Sequence, residues 1–91
     1  MEQKKETDKA LDLVPQVIFT YSTEHLLQKD KVRFYYALKG RDGKSGIVVA
    51  AKIEQLGRAV LLVHAEQASQ VREFLRYWKC AFEEKEVWTH G

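Results

Sequence analysis

The segment Lys31-Val-Arg-Phe-Tyr-Tyr-Ala-Leu-Lys-Gly-Arg41 alternates between apolar and polar side chains along most of its length. In an extended backbone, every second side chain lies on the same face. One face of this segment would then carry the apolar residues Val32, Phe34, Tyr36 and Leu38. A period of two is typical of a half-buried β-strand. Residues 31–41 are therefore predicted to form a strand with a basic outer face.

Three other segments have the composition of strands, because they are β-branched, aromatic or alternating in polarity. These predicted strands are residues 16–22, 47–54 and 59–64. Asp42 and Gly43 are a strong signal for a tight hairpin between the second and third strands, and Gly57 marks the following turn. Residues 23–28 either extend the first strand or form one helical turn.

The C-terminal part of the chain changes to a helical period. From about Glu66 onward, apolar residues recur at spacings of three and four, namely Val71, Phe74, Leu75, Trp78 and Phe82. Neighbouring residues make this stripe wider than contact with one sheet requires. The predicted fold is α+β: a four-stranded antiparallel β-meander followed by one long C-terminal amphipathic helix (ββββα). Cys80 and the charged residues 83–86 are predicted to belong to this helix and its solvated end.

Length and composition indicate one domain. The chain has 91 residues, of which 45% are hydrophobic and 31% charged, with a net charge of +2. Residues 1–14 are predicted to be a flexible charged N-terminal tail that ends before Pro15, and residues 15–91 a single nucleic-acid-binding-like domain. No apolar run has the length of a signal peptide core or a membrane span. The protein is predicted to be soluble and intracellular, either cytoplasmic or in the nucleoid or nucleus.

No set of residues indicates catalysis. Gly43-Lys44-Ser45 matches the end of a phosphate-binding loop, but that motif needs a glycine where Leu38 stands. The three histidines lie far apart in the sequence and lack partners at metal-ligand spacing. A single cysteine excludes an intrachain disulfide. The chain is therefore predicted not to be an enzyme and to need no cofactor or metal.

The outer face of the strand predicted at residues 31–41 carries the strongest functional signal. Single-stranded nucleic acids are bound by cations that follow the phosphates and by aromatic rings on which bases stack. This face supplies both, and basic residues on neighbouring segments widen it. The predicted binding residues are Lys31, Arg33, Tyr35, Lys39, Arg41, Lys44, Lys52 and Arg58. The alternative interpretation is a solvated strand face whose edge lysines prevent aggregation.

Four runs share the order and character of a known repeat. They are Lys31-Val-Arg-Phe-Tyr-Tyr-Ala-Leu-Lys, Asp42-Gly-Lys-Ser-Gly-Ile-Val-Val-Ala, Arg58-Ala-Val-Leu-Leu-Val and Val71-Arg-Glu-Phe-Leu. Together they resemble the PUR repeat, over roughly residues 17–82. The Whirly proteins and the positive-cofactor transcriptional coactivators are similar in their plan of four strands and one helix.

The resemblance implies a curved antiparallel sheet that binds single-stranded DNA or RNA, and dimers formed partly through the helices. We therefore expect binding of single-stranded nucleic acid with low sequence specificity by a homodimer that uses the C-terminal helix. Two alternatives stay open. One is a protein-interaction or scaffold module that uses the same helix. The other is an RNA-binding protein that resembles the Alu-domain proteins of the signal recognition particle.

Overall fold

A computed structural model of the chain describes residues 13–42 and 45–90. These residues form four strands, three helices and one 3₁₀ turn. In chain order they are β1 (Leu13–Tyr21), α1 (Gln28–Lys39), α2 (Ile47–Ala50), β2 (Glu54–Gly57), β3 (Val60–His64), the 3₁₀ turn (Ala65–Gln67), α3 (Ala68–Tyr77) and β4 (Phe82–His90). None of the helices formed by these residues is long and apolar enough to cross a membrane.

The four strands form one sheet in the order β2-β3-β1-β4, and each neighbouring pair is antiparallel. β1 pairs with β4 over its whole length, from Leu13 opposite His90 to Tyr21 opposite Phe82. Apart from the short α2, the element order is β-α-β-β-α-β, which is the split βαβ or ferredoxin-like arrangement. Both β1 and β3 lie inside the sheet, and β2 and β4 form its edges.

The predicted ββββα order is wrong, although the class α+β and the four antiparallel strands are confirmed. The principal error lies at residues 31–41, most of which belong to α1. Phe34 and Leu38 are both buried, and a spacing of four places two residues on one face in a helix as well as in a strand. The other two apolar residues decide between the two structures: Val32 is 41% exposed and Tyr36 is 44% exposed.

The predicted third strand is also wrong. Residues 47–50 form α2, and the strand begins only at Glu54. The predicted hairpin at Asp42 and Gly43 lies between two helices instead of two strands, and Gly43 falls outside the described residues. Residues 23–28 do not extend β1: the Leu26 N–H donates to the Thr23 carbonyl at 3.0 Å in a single turn, and Gln28 begins α1.

The last predicted strand and the helix after it are confirmed as β3 and α3, but the helix ends at Tyr77. Lys79 has a φ of 57°, and the Cys80 N–H donates to the Leu75 carbonyl at 2.9 Å. These are features of a Schellman cap, in which a left-handed residue closes the last helical turn. Glycine is the usual residue there, and because lysine takes its place the sequence gives no stop signal. Phe82 and residues 83–86, predicted as helix, therefore lie in β4.

The N-terminal boundary differs from the predicted one by two residues. Leu13 and Val14 belong to β1, and the rest of the predicted tail, residues 1–12, lies outside the described residues. Pro15 is therefore inside an interior strand, where a missing N–H usually costs a ladder hydrogen bond. Here the pairing of β1 with β3 stops at Gln16 opposite His64. Odd-numbered residues of β1 bond toward β3, as the Tyr21 N–H does to the Ala59 carbonyl, so Pro15 meets no strand on that side.

The core lies between one face of the sheet and helices α1 and α3. Its fully buried large side chains are Phe19, Phe34, Leu38, Leu61, Val63, Val71 and Leu75. The Phe34 ring lies 5.4 Å from the ring of Phe74 and 5.6 Å from that of Trp78, so Phe34 connects α1 to the C-terminal end of α3 in the core. The residues expected to widen the α3 stripe are Ala68, Tyr77 and Ala81. Ala68 is buried in the core, whereas Tyr77 and Ala81 are exposed.

Candidate functional site

The predicted binding residues lie on helices and turns and not on a sheet. Lys31, Arg33, Tyr35 and Lys39 belong to α1, Arg41 follows it, Lys52 follows α2, and Arg58 lies in the turn between β2 and β3. Lys44 lies outside the described residues. The expected basic and aromatic sheet face is therefore not formed by these residues.

The helical geometry of α1 redistributes these side chains. Successive residues of an α-helix are separated by about 100° around the axis. Arg33 and Tyr35, which would be neighbours on a strand face, point in roughly opposite directions. Lys31 is half-buried beside the core. Tyr35 and Lys39, four residues apart, lie on the same flank, and the Lys39 Nζ is 5.8 Å from the centroid of the Tyr35 ring.

A second pair of the same kind lies further around the helix. The Arg41 guanidinium carbon is 5.0 Å from the centroid of the Tyr36 ring. Both tyrosines are exposed, at 39% and 44% of their surface. Cations at these distances are attracted to the negative face of the ring. The outer side of α1 thus presents two aromatic rings, each with a positive charge beside it.

A cleft of about 460 Å³ adjoins the Tyr35 flank of α1. Its wall brings together residues from α1, from the end of β1 and from the β2–β3 hairpin: Tyr21, Tyr35, Lys39, Gln55, Gly57, Arg58 and Ala59. Three of the predicted binding residues, Tyr35, Lys39 and Arg58, meet here although they are far apart in sequence. Arg33, Arg41 and Lys52 are not part of this wall.

Tyr21 contributes a polar group to the cleft. Every fully buried side-chain nitrogen or oxygen in residues 13–42 and 45–90 has a hydrogen-bond partner. The Tyr21 hydroxyl makes no hydrogen bond within these residues, so it keeps some contact with solvent, and Tyr21 is one of the residues that line the cleft. Burial of the ring, with smaller effects of Tyr35 and Cys80, raises the pKa of Tyr21 to about 12. The hydroxyl therefore stays protonated at neutral pH and can donate a hydrogen bond.

The turn that carries Arg58 is strained. Ala59 has a φ of 98°, a left-handed backbone conformation that residues other than glycine rarely adopt. The Ala59 carbonyl accepts a hydrogen bond from the Tyr21 N–H at 3.1 Å, which ties the turn to β1. Strained backbone of this kind is concentrated at functional sites, where the surrounding structure maintains it. Ala59 has the largest φ of the three non-glycine residues with positive φ in the described residues, and it lies in the wall of the cleft.

We expect Ala59→Gly to raise the free energy of unfolding by about 0.5–1 kcal/mol. A left-handed conformation costs a residue with a β-carbon about 1–2 kcal/mol, of which the added chain entropy of glycine offsets roughly half. Urea unfolding followed by circular dichroism measures the difference. Ala81→Gly is the control, because Ala81 is exposed and has no positive φ, and it should destabilise the protein. Equal destabilisation by both substitutions would contradict the presence of strain at Ala59.

The uncovered face of the sheet has a different character. Ile18, which lies opposite Leu62 and Lys85, stands at its centre. Around Ile18 the described residues of β1, β3 and β4 on this face include no Phe, Tyr or Trp, and Glu83 adds negative charge. Gln16 donates a side-chain hydrogen bond to Thr89 here. The aromatic ring that these residues place on this face is the imidazole of His64, opposite Gln16.

Other candidate chemistry is sparse in the described part of the chain. Its histidine, cysteine and acidic side chains form no group of three that could hold a metal ion. Cys80 is buried, and burial raises the pKa of its thiol, which disfavours the reactive thiolate. Arg72 and Glu84 form a two-pronged ion pair, with N–O distances of 2.6 and 2.7 Å, that joins α3 to β4. The cleft beside α1 is the strongest candidate site.

Comparison with known proteins adds no relative. No family model, no curated protein and no solved structure matches the chain. The fold implied by the PUR resemblance, ββββα, is not the fold of this chain. Tyr21 and Gln55 are not among the predicted binding residues, since their approach to Tyr35 depends on how α1 packs on the sheet. No sequence signal marks either residue.

Proposed function

We propose that the protein binds single-stranded nucleic acid, DNA or RNA, through the outer side of α1 and the adjoining cleft. The charge of α1 supports this proposal. The helix contains four basic residues, Lys29, Lys31, Arg33 and Lys39, and one acidic residue, Asp30. Arg41 and Arg58 add two exposed cations next to it. Phosphate contacts of such side chains supply most of the affinity of non-specific nucleic-acid binding.

The observation that carries the proposal is the pairing of rings and cations on one exposed surface. Lys39 lies beside Tyr35, Arg41 lies beside Tyr36, and Arg58 faces the first pair across the cleft. Stacking on a ring tolerates every base, and phosphate contact tolerates every sequence. The proposed binding is therefore of low sequence specificity, and we propose an intracellular location for the protein.

A titration at several salt concentrations, with single- and double-stranded oligonucleotides, tests the proposal. We expect Arg58→Ala to weaken binding and to reduce the slope of log affinity against log salt by roughly 0.7 for a single strand, since one phosphate contact is lost. Tyr35→Ala should cost about 1–3 kcal/mol of binding free energy with an unchanged slope, because stacking releases no counterions.

Lys85→Ala is the matched control for charge. Lys85 is exposed on the opposite face of the sheet and has the same charge, so its removal should leave both affinity and slope nearly unchanged. The proposal fails if Lys85→Ala weakens binding as much as Arg58→Ala does, because binding would then depend only on net charge. It also fails if the parent protein does not bind oligonucleotides at low salt.

The homodimer expected from the α3 stripe stays a prediction. Tyr77 is 78% exposed at the end of α3 and is the apolar residue of this helix left for a partner. Analytical ultracentrifugation of the parent and of Tyr77→Ala measures whether this surface joins two chains. A protein-interaction module that uses this helix is favoured only if the parent dimerises and Tyr77→Ala does not.

A further inference from the structure

We propose that the cleft beside α1 holds a single nucleotide, with its phosphate against Lys39 and Arg58 and its base on the ring of Tyr35. The inference deepens the proposed strand binding and rests on it, since it assigns one nucleotide of the strand to the cleft. Strand binding along the outer side of α1 needs no cleft, because that surface only follows phosphates. Binding of a single nucleotide is therefore an addition to the proposed function.

The size of the cleft fits this ligand. Small-molecule sites in proteins are concave and have volumes of about 300–1,000 Å³. A volume of about 460 Å³ lies in the lower part of that range. It accommodates one nucleotide, and a longer oligonucleotide would have to continue outside, along the exposed side of α1.

The polar groups are arranged for a ligand with one charged end and one planar end. Lys39 comes from α1 and Arg58 from the β2–β3 turn, so the two cations approach the cleft from different elements. Arginine and lysine form charge-assisted hydrogen bonds with phosphate oxygens. Because the Lys39 ammonium lies 5.8 Å from the Tyr35 ring, one ligand can contact both.

The two remaining polar side chains suit a base or a sugar. The Tyr21 hydroxyl is protonated at neutral pH and donates a hydrogen bond, whereas the Gln55 amide both donates and accepts. Because neither group carries charge, both suit hydrogen bonds to the neutral base or sugar of a nucleotide better than contact with a phosphate ion. The strained Ala59 turn, held to Tyr21 by a backbone hydrogen bond, keeps Arg58 beside them.

Nuclear magnetic resonance titration of the isotope-labelled chain at low salt tests the inference with three probes. They are adenosine monophosphate, adenosine and inorganic phosphate. We expect the nucleotide to bind at least about tenfold more tightly than either of the other two, since only the nucleotide engages the ring and both cations. Backbone shifts should be largest in the β2–β3 turn and at the end of α1.

Two substitutions should separate the contribution of the aromatic ring to this affinity from that of the phosphate-binding cation. Tyr35→Ala is expected to reduce nucleotide affinity about tenfold, to the level of inorganic phosphate, and Arg58→Ala to the level of adenosine. Lys85→Ala is the matched control, because Lys85 is an exposed cation on the opposite face of the sheet and outside the cleft. Its substitution should leave nucleotide affinity unchanged. Equal affinity for the nucleotide and for inorganic phosphate would overturn the inference, since the cleft would then be an anion site only.

The outcomes separate this inference from the proposed function. If oligonucleotides bind with the expected dependence on Tyr35 but the nucleotide does not bind, strand binding stands and the single-nucleotide site is refuted. If the nucleotide binds and oligonucleotides bind no more tightly, the cleft is a nucleotide site and strand binding is refuted. If neither binds, both are refuted.

Discussion

Phe34→Ala is expected to lower the free energy of unfolding by about 3–5 kcal/mol, as truncation of a fully buried aromatic side chain does. Phe34 has no exposed surface and stands at the centre of an aromatic cluster. Its ring centroid lies between 5.4 and 5.6 Å from those of Tyr21, Tyr35, Phe74 and Trp78. Removal of the ring leaves a cavity shared by β1, α1 and α3, which these rigid elements can close only in part.

Tyr36→Ala is the control that distinguishes a helix from a strand. Tyr36 is 44% exposed and its polar neighbour is Arg41, so its truncation should cost no more than about 1 kcal/mol. In a strand, Phe34 and Tyr36 would share the buried face and both substitutions would be severe. Guanidinium unfolding of the two variants measures the difference. Similar large losses for both would contradict the helical assignment of residues 28–39.

Gly46→Ala is expected to destabilise the protein by about 2–3 kcal/mol. Gly46 has a φ of 94°, and an added β-carbon would lie 2.7 Å from the Gly40 nitrogen and 2.8 Å from the Leu38 carbonyl oxygen. Both atoms belong to the backbone at the end of α1, so neither can move aside as a flexible side chain would. The substitution therefore combines an unfavourable backbone conformation with a clash at the helix terminus.

Gly57→Ala provides the matched control for Gly46→Ala. An added β-carbon at Gly57 would meet its nearest atom, Val60 Cγ2, at 4.0 Å, which is ordinary contact, and Gly57 has no positive φ. Loss of glycine flexibility in the unfolded chain should leave stability unchanged or raise it by up to about 1 kcal/mol. Thermal melts of both variants measure this difference in stability. A harmless Gly46→Ala would show that the close approach of residues 40 and 46 is absent.

Residues 31–41 were predicted to be a strand, but most of them form a helix. This difference changes the shape of the expected binding surface more than its chemistry. Tyrosines and cations still lie side by side, but the pairs are set by a spacing of four or five and not of two. Arg33 and Lys39 would share a strand face, whereas on α1 they lie on different flanks. The uncovered face of the sheet offers no comparable surface, because the described residues of β1, β3 and β4 on that face include no Phe, Tyr or Trp.

Some features follow from the sequence without knowledge of the fold. Residues 59–64 are apolar on both faces and flanked by a glycine turn, so they are suited to an interior strand, and β3 is one. Val71 and Leu75 repeat at helical spacing and are buried in α3. The local concentration of basic and aromatic residues at positions 31–41 is likewise a property of the sequence, whatever structure they adopt.

The tertiary structure alone decides the rest. Phe34 and Leu38 satisfy both periods, and their burial in one core, where Phe34 contacts Phe74 and Trp78, selects the helix. The charged segment of β4 becomes a strand because its backbone pairs with β1, a partner at the other end of the sequence, after a Schellman cap without glycine ends α3. Tyr35 and Arg58 likewise line one cleft only because α1 packs beside the β2–β3 turn. Each of these outcomes depends on contacts between distant segments, which local propensity and spacing do not contain.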